Sequence, residues 1–171
     1  MSDQRQTANL LGALALSLTD RMRVTVENAT GFGGEAAAAL VTIGAEPDSA
    51  IRFVAAVVGL SHSGTVRLID KLESEGLVTR QSGTDGRTAA LRLTGVGQKR
   101  VEAILDARES ALNDAVSGLS NIQMEGLSRL LGPLLHGQVI EAEDEHRVCR
   151  LCDTSVCYPA GCPLHRDEPA E

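Results

Sequence analysis

The sequence predicts a mainly α-helical protein with one small two-stranded β hairpin. Apolar residues recur every three or four positions through most of the 171-residue chain, which is the periodicity of amphipathic helices. Two short β-type runs, at 77–80 and 88–93, flank a glycine-rich turn near the middle of the chain. Aromatic residues make up only 2% of the sequence, so we expect an aliphatic core.

The N-terminal third predicts three helices, at about 7–27, 35–43 and 48–58. The first has leucines and other apolar residues three and four positions apart, and the second is rich in alanine. The third is expected to end at Gly59, because glycine adopts at little cost the left-handed conformation that terminates many helices.

A fourth helix is predicted directly after Gly59. Ser61 can cap its first turn, and apolar residues follow at 66, 69 and 72. Helix, short turn and helix form the helix-turn-helix pattern, in which the second helix enters the major groove of DNA. Small and hydrogen-bonding side chains in that first turn would allow close approach to a duplex. The candidate DNA contacts are Ser61, His62, Ser63, Thr65 and Arg67. An ordinary pair of capped helices remains the alternative interpretation.

The β hairpin favours DNA binding, because a hairpin directly after a helix-turn-helix forms a wing. Arg87 lies near the tip, where it would reach the minor groove or a phosphate. Asp85 would hold the Arg87 guanidinium through a bidentate ion pair. A solvated hairpin tip has a similar composition, so the hairpin alone does not decide the function.

Residues 60–78, LSHSGTVRLIDKLESEGLV, resemble the recognition helix of MarR-type winged regulators. The resemblance continues through 85–87, which matches the Asp-x-Arg wing motif, and through 91–97, which matches the Leu-x-Leu-Thr-x-x-Gly exit into the next helix. It implies a winged helix-turn-helix homodimer on a pseudo-palindromic double-stranded DNA operator, with one winged helix per half-site. By position it assigns DNA contacts to the five residues of the recognition helix named above, and to Arg87 with Asp85 at the wing.

Two apolar helices follow the wing. Thr94 can cap the first, and Ser120 with Gln123 forms a capping box at the start of the second. Pro133 is expected to kink or break this last helix. In the family, the first and last helices form the dimer interface, so the resemblance implies the same use here, although packing within a monomer is an alternative. The predicted organisation is N-terminal helices at 1–47, the DNA-binding domain at 48–95, dimerisation helices at 96–147 and a cysteine-rich tail at 148–171.

The tail holds all four cysteines and departs from ordinary members of that family. They are Cys149, Cys152, Cys157 and Cys162. Four thiolates this close in sequence can bind one tetrahedral zinc ion or one [4Fe-4S] cluster. Structural zinc usually uses two tight cysteine pairs, whereas only one such pair exists here, and Pro163 follows the last cysteine directly. The spacing favours an iron–sulfur cluster, with zinc and a metal-free thiol switch as alternatives. His146 and His165 are less favoured ligands, because four cysteines complete either site.

No enzymatic motif accompanies these features. The sequence has no glycine-rich phosphate loop, no Gly-x-Ser-x-Gly elbow and no metalloprotease histidine pair. We also expect no signal peptide and no membrane span, which favours the cytoplasm, where clustered cysteines are more often metal ligands or redox-active thiols than disulfides. The net charge of −7 argues against unspecific nucleic-acid adhesion, yet residues 60–100 carry seven basic and four acidic residues.

These observations predict a non-enzymatic DNA-binding transcriptional repressor that senses redox state through its cluster. One alternative is a MarR-type regulator with a structural zinc site in the tail and a small-molecule effector at the dimer interface. A different class of protein, an electron carrier that uses the cysteine centre, is the third candidate.

Overall fold

The computed structural model of the protein describes residues 2–82, 89–139, 142–159 and 161–164. The predicted fold class, mainly helical with a β wing, is confirmed. The elements in these ranges are α1 (Ser2–Thr30), α2 (Gly34–Ala45), β1 (Ser49–Ala50), α3 (Ile51–Val58), α4 (His62–Ser74), β2 (Val78–Ser82), β3 (Ala89–Leu93), α5 (Gly95–Val116), α6 (Asn121–His136), α7 (Ala142–Val148) and α8 (Thr154–Cys157).

The core is aliphatic, as predicted, and lies where helices α2 to α5 meet the small sheet. Its largest fully buried side chains include Leu40, Ile43, Val54, Ile69, Leu72, Leu91 and Ile104. Burial of each such side chain contributes about 1.5–3 kcal/mol of transfer free energy. The helix-turn-helix and the wing therefore share one hydrophobic core with α2 and α5.

The helix-turn-helix forms as the local signals predict. Gly59 ends α3 with φ +74°, and its N–H donates to the Ala55 carbonyl at 3.0 Å. Two residues later Ser61 is the N-cap of α4, and its hydroxyl accepts the Gly64 N–H at 3.1 Å. The turn between α3 and α4 is consequently only three residues long.

The sheet has three strands rather than the predicted two. Its order is β1-β3-β2, all antiparallel, and the short β1 pairs Ser49 with Leu91 and Ala50 with Ala90. The prediction that α3 begins at residue 48 or 49 is therefore wrong, because helix starts only at Ile51. The cause is a long-range contact: Asp48, at φ +67°, accepts hydrogen bonds from the Arg92 guanidinium of β3.

The exit from the wing is tightly packed. Thr94 caps α5 by accepting the Gly97 N–H at 3.0 Å, and its own N–H donates to the Leu77 carbonyl at 2.9 Å. A Cβ atom added at Gly97 would lie 2.0 Å from the Leu77 carbonyl oxygen. Helix α5 thus approaches the start of β2 as closely as a residue without a side chain permits.

The outer helices leave apolar side chains in solvent. Helix α1 packs along α5, while none of the residues of α6 is buried. Leu10, Leu14 and Leu16 of α1 and Ile122, Leu130 and Leu134 of α6 are among the exposed apolar residues. Helix α6 continues through Pro133 to His136, so the chain does not break there. No described helix is long and apolar enough to cross a bilayer.

Candidate nucleic-acid interface and metal centre

Helix α4 presents most of the predicted DNA contacts on one exposed face. Ser61, His62, Ser63 and Arg67 are all exposed. The hydroxyls of Ser61 and Ser63 lie 3.3 Å apart. Free N–H groups in the first turn of a helix attract phosphate, and small polar side chains beside them do not obstruct it. This end of α4 has the chemistry of a nucleic-acid contact.

Thr65 does not belong to that surface. Its side chain is 0% exposed, and its hydroxyl donates to the Ser61 carbonyl at 3.0 Å. It shares the inner face of α4 with Ile69 and Leu72 at helical spacing. The prediction that Thr65 contacts DNA is therefore wrong, because a hydroxyl buried inside the protein cannot reach a base edge.

Replacing Thr65 by valine is expected to lower stability without changing operator sequence preference. The valine fills the same space but removes the hydrogen bond to Ser61, which costs about 1 kcal/mol. Urea denaturation and operator binding on mutated half-sites measure the two effects. Ser63→Ala on the exposed face is the matched control and should show the opposite pattern. A changed base preference in Thr65→Val would contradict the buried assignment.

Arg80 holds the recognition helix against the wing, a role that sequence reasoning missed. Its guanidinium, 26% exposed, donates to Asp70 at 2.6 Å and also to Glu73. Both carboxylates lie on α4, whereas Arg80 lies on β2. The three-residue spacing of the two acids was the available signal, because it places them on one helix face. These two ion pairs neutralise the charge of Arg80. Arg67, which lies on α4 itself, is exposed.

The wing tip lies outside the described residues. Strands β2 and β3 pair from Val78 with Leu93 to Ser82 with Ala89, so the hairpin register is set up to the edge of the tip. The roles predicted for Asp85 and Arg87 stay predictions.

The cysteine tail folds back onto the winged helix. Helix α7 lies against α3, where the His146 ring meets the Phe53 ring edge to face at 5.0 Å between centroids. Leu151 packs against the core, and Leu164 is only 5% exposed. His146 thus lies at the contact between α7 and α3, while His165 lies outside the described residues.

The four cysteine thiols form two hydrogen-bonded pairs in one half-buried neighbourhood. Cys149 pairs with Cys152 and Cys157 with Cys162, and all four are free thiols. Charge interactions link the pairs, since Cys157 and Cys162 both act on Cys149. The turn between the first two is closed by the Cys152 N–H, which donates to the Cys149 carbonyl at 2.7 Å. The sequence clustering of the cysteines is thus also a clustering in space.

Electrostatics favour a thiolate at Cys152. The hydrogen bond from Cys149, opposed by burial and assisted by the charges of Arg108 and Arg150, lowers the pKa of Cys152 to about 6. The Arg108 guanidinium of α5 lies 3.9 Å from the Cys152 sulfur. The pKa of Cys149 is correspondingly raised, first by its hydrogen bond to Cys152 and then by burial. The cationic surroundings suit an anionic metal–thiolate centre.

The arrangement of the thiols bears on which group they could hold. Within the described ranges, no three or more His, Cys, Asp or Glu side chains are arranged to hold one metal ion. A structural zinc ion takes four ligands at about 2.3 Å from the metal, and a [4Fe-4S] cluster takes one cysteine at each iron. Four thiols are the ligand type of either group.

Comparison with known proteins identifies the type of fold. A family model described as the MarR family matches residues 30–88. This segment is similar to the MarR family. The MarR-type fold extends further, since YusO from Bacillus subtilis superposes with a TM-score of 0.66 at 21% identity over 80% of this chain and 98% of its own.

Two further solved structures share the MarR-type fold. MepR, a transcription regulator of the Staphylococcus aureus multidrug efflux pump MepA, has a TM-score of 0.67 at 20% identity, covering 76% of this chain and 96% of that one. CouR from Rhodococcus jostii RHA1, bound to p-coumaroyl-CoA, has a TM-score of 0.59 at 22% identity, covering 77% and 93%. The matched region covers at least 93% of each of the three solved structures, whereas it covers only 76–80% of this chain.

Proposed function

We propose that this protein is a homodimeric MarR-type transcriptional repressor whose operator binding depends on a [4Fe-4S] cluster held by Cys149, Cys152, Cys157 and Cys162. The observation that carries the proposal is the position of the tail: α7, which leads directly into the four grouped thiols, packs on α3 of the helix-turn-helix. The exposed polar face of α4 and the match of residues 30–88 support the DNA-binding part.

The exposed apolar residues of α1 and α6 support a dimer. Large apolar side chains that are exposed, such as Leu14 at 50% and Leu130 at 65%, recur along both helices. A second copy of the chain would remove them from water at about 25 cal/mol per Å² of apolar surface. Two-fold symmetry would then present one α4 to each half-site of a palindromic operator.

The chain would couple the cysteine site to DNA through the tail helices. When bound, the cluster would supply a redox- and iron-sensitive link among the four thiolates. Cys149 follows α7 and Cys157 ends α8, so a link between them fixes how these helices lie. Without a link between the cysteines, α7 is held on α3 by contacts such as that between Phe53 and His146. The state of the thiols therefore changes how tightly α7 packs on α3. Helix α3 is the first helix of the helix-turn-helix.

The direct test is the iron, zinc and acid-labile sulfide content of protein purified without oxygen. We expect about four iron atoms and four sulfides per chain, with a brown chromophore. Operator affinity of the loaded and apo dimers, measured at one salt concentration, then tests the coupling. Equal affinities would refute cluster-dependent binding, and stoichiometric zinc without colour would refute the cluster itself.

A second candidate function has a specific observation in its favour. A cavity of about 240 Å³ lies between α1, α2 and the tail, lined by apolar residues together with Arg23, Glu35 and Arg150. CouR is bound to p-coumaroyl-CoA, an aromatic thioester. A planar organic anion in this cavity would make the protein a ligand-responsive regulator with a zinc-stabilised tail. Thermal shifts with p-coumarate and p-coumaroyl-CoA test this alternative.

An electron carrier of the different class would use the cysteine centre without DNA. Arg67→Ala separates the two classes, because the exposed Arg67 matters only if α4 enters a groove. Loss of a specific arginine–base contact costs about 1–3 kcal/mol, which is roughly 5- to 150-fold in affinity. Unchanged operator binding by this variant would favour electron transfer.

A further inference from the structure

We infer that Arg147, on tail helix α7, is an additional DNA-binding residue that contacts the phosphate backbone beside the recognition helix. The inference rests on the proposed DNA-binding function and extends the interface from the winged helix into the cysteine tail. It assigns to the tail a direct part in holding DNA, besides any sensing.

Arg147 lies at the turn of the helix-turn-helix. Its Nη2 atom is 3.6 Å from the position that a Cβ atom would occupy on Gly59. Gly59 is two residues before Ser61, the N-cap of α4. Because a chain spans at most about 3.6 Å per residue, the guanidinium lies within about 12 Å of the start of the recognition helix. This is the end of α4 that is expected to meet the duplex.

Arg147 lies beside the exposed residues of α3. Arg52, Ala56 and Gly59 are exposed at helical spacing, while Val54, Ala55 and Val57 are buried beneath them. In a helix-turn-helix the first helix crosses the DNA backbone. Arg52 and Arg147 therefore put positive charge at the two ends of the helix that crosses it.

The Arg147 side chain is accessible to a phosphate, because it is exposed in the last turn of α7. The acidic residues of α7 fall in its first half, at 143–145, so the last turn is the basic end of the helix. Arginine offers a fork of N–H donors that matches phosphate geometry.

The position of Arg147 depends on the cysteine site. Arg150 donates to the Arg147 carbonyl at 2.6 Å, and both flank Cys149. Because Cys149 is two residues from Arg147, whatever fixes that thiolate also fixes the end of α7. The phosphate contact therefore forms when the cysteine site is ordered and is lost when the site is disordered.

The test is the salt dependence of operator binding by the metal-loaded protein. Each phosphate contact contributes about 0.9 to the slope of log affinity against log salt, so Arg147→Ala should reduce the slope by about 1.8 for a dimer. Between 50 and 200 mM salt the advantage of the wild type should shrink roughly tenfold. Specific and nonspecific duplexes should lose affinity alike, because phosphates carry no sequence information.

Three comparisons make the result specific. Arg129→Ala removes an exposed arginine, ion-paired with Glu125 on α6, and should leave the slope unchanged. Arg147→Lys should keep most of the slope and Arg147→Gln should lose it, although both preserve a long side chain. Iron content is measured on every variant, so that a loss of cluster is not mistaken for a loss of contact.

An unchanged salt slope in Arg147→Ala overturns the inference, whether or not binding becomes weaker. Weaker binding with an unchanged slope would indicate that Arg147 only stabilises the turn at Gly59. Arg67→Ala separates this failure from failure of the proposed function. If Arg67→Ala weakens binding and Arg147→Ala does not, only the inference fails. If neither variant weakens binding, DNA binding through α4 fails as well.

Discussion

Replacing Cys152 by alanine is expected to abolish iron–sulfur content and to make operator affinity independent of oxygen. Three cysteines cannot supply one thiolate to each of the four irons of the cluster. Cys152 also lies 3.9 Å from Arg108 and is the hydrogen-bond partner of Cys149, so its loss removes the thiolate that the site favours most. Iron should fall from about four atoms per chain to near zero. Operator affinity should equal that of the apo wild type in both air and nitrogen.

Val156→Ala is the control for this substitution. Val156 lies on α8, one residue before Cys157, and is 67% exposed, so its truncation changes the same segment without touching a thiol. It should retain iron and the response to oxygen. A Cys152→Ala protein that still holds stoichiometric iron would remove Cys152 from the ligand set and weaken the case for a four-cysteine cluster.

The substitution Gly97→Ala is expected to destabilise the winged helix by at least about 3 kcal/mol, the upper end of the usual cost of overpacking. The new methyl group would lie 2.0 Å from the Leu77 carbonyl oxygen, a backbone atom that already accepts the Thr94 N–H. Relief requires α5 to move away from β2, which breaks this bond. Urea denaturation should show the loss, and operator affinity should fall because the wing is displaced.

Gly95→Ala provides the comparison in the same helical turn. No atom lies within 4 Å of a Cβ added at Gly95, and the position has ordinary helical backbone. Alanine should be neutral there or stabilise by about 0.5–1 kcal/mol, since it loses less backbone entropy on folding. Equal stability of the two variants would show that α5 can shift at no cost.

Sequence reasoning succeeded where the decisive contacts are local. The caps Ser61, Thr94 and Ser120 each act within three residues, and they set the starts of α4, α5 and α6 correctly. Gly59 ended α3 for an equally local reason. Strand β1 was missed because two residues carry no periodicity and its partner Leu91 is more than 40 residues away.

The candidate site was predicted in part for the same physical reason. Grouping of the four cysteines follows from their short spacing, and the structure keeps their side chains within reach of one another. The docking of α7 on α3 depends on Phe53 meeting His146, a contact that no local pattern announces. Thr65 was misplaced because a hydroxyl near a helix start can equally face the core, and only the packing of α4 decides.

The ion pairs of Arg80 have a consequence for how any signal reaches an operator. Since this one guanidinium joins α4 to β2, a tilt of α4 relative to the wing has to break its ion pairs with Asp70 and Glu73. If the protein binds an operator as proposed, α4 and the wing then turn together, and a rotation at α3 changes the spacing between the two recognition helices of a dimer. That spacing, more than the base preference of α4, would distinguish the bound state from the released state.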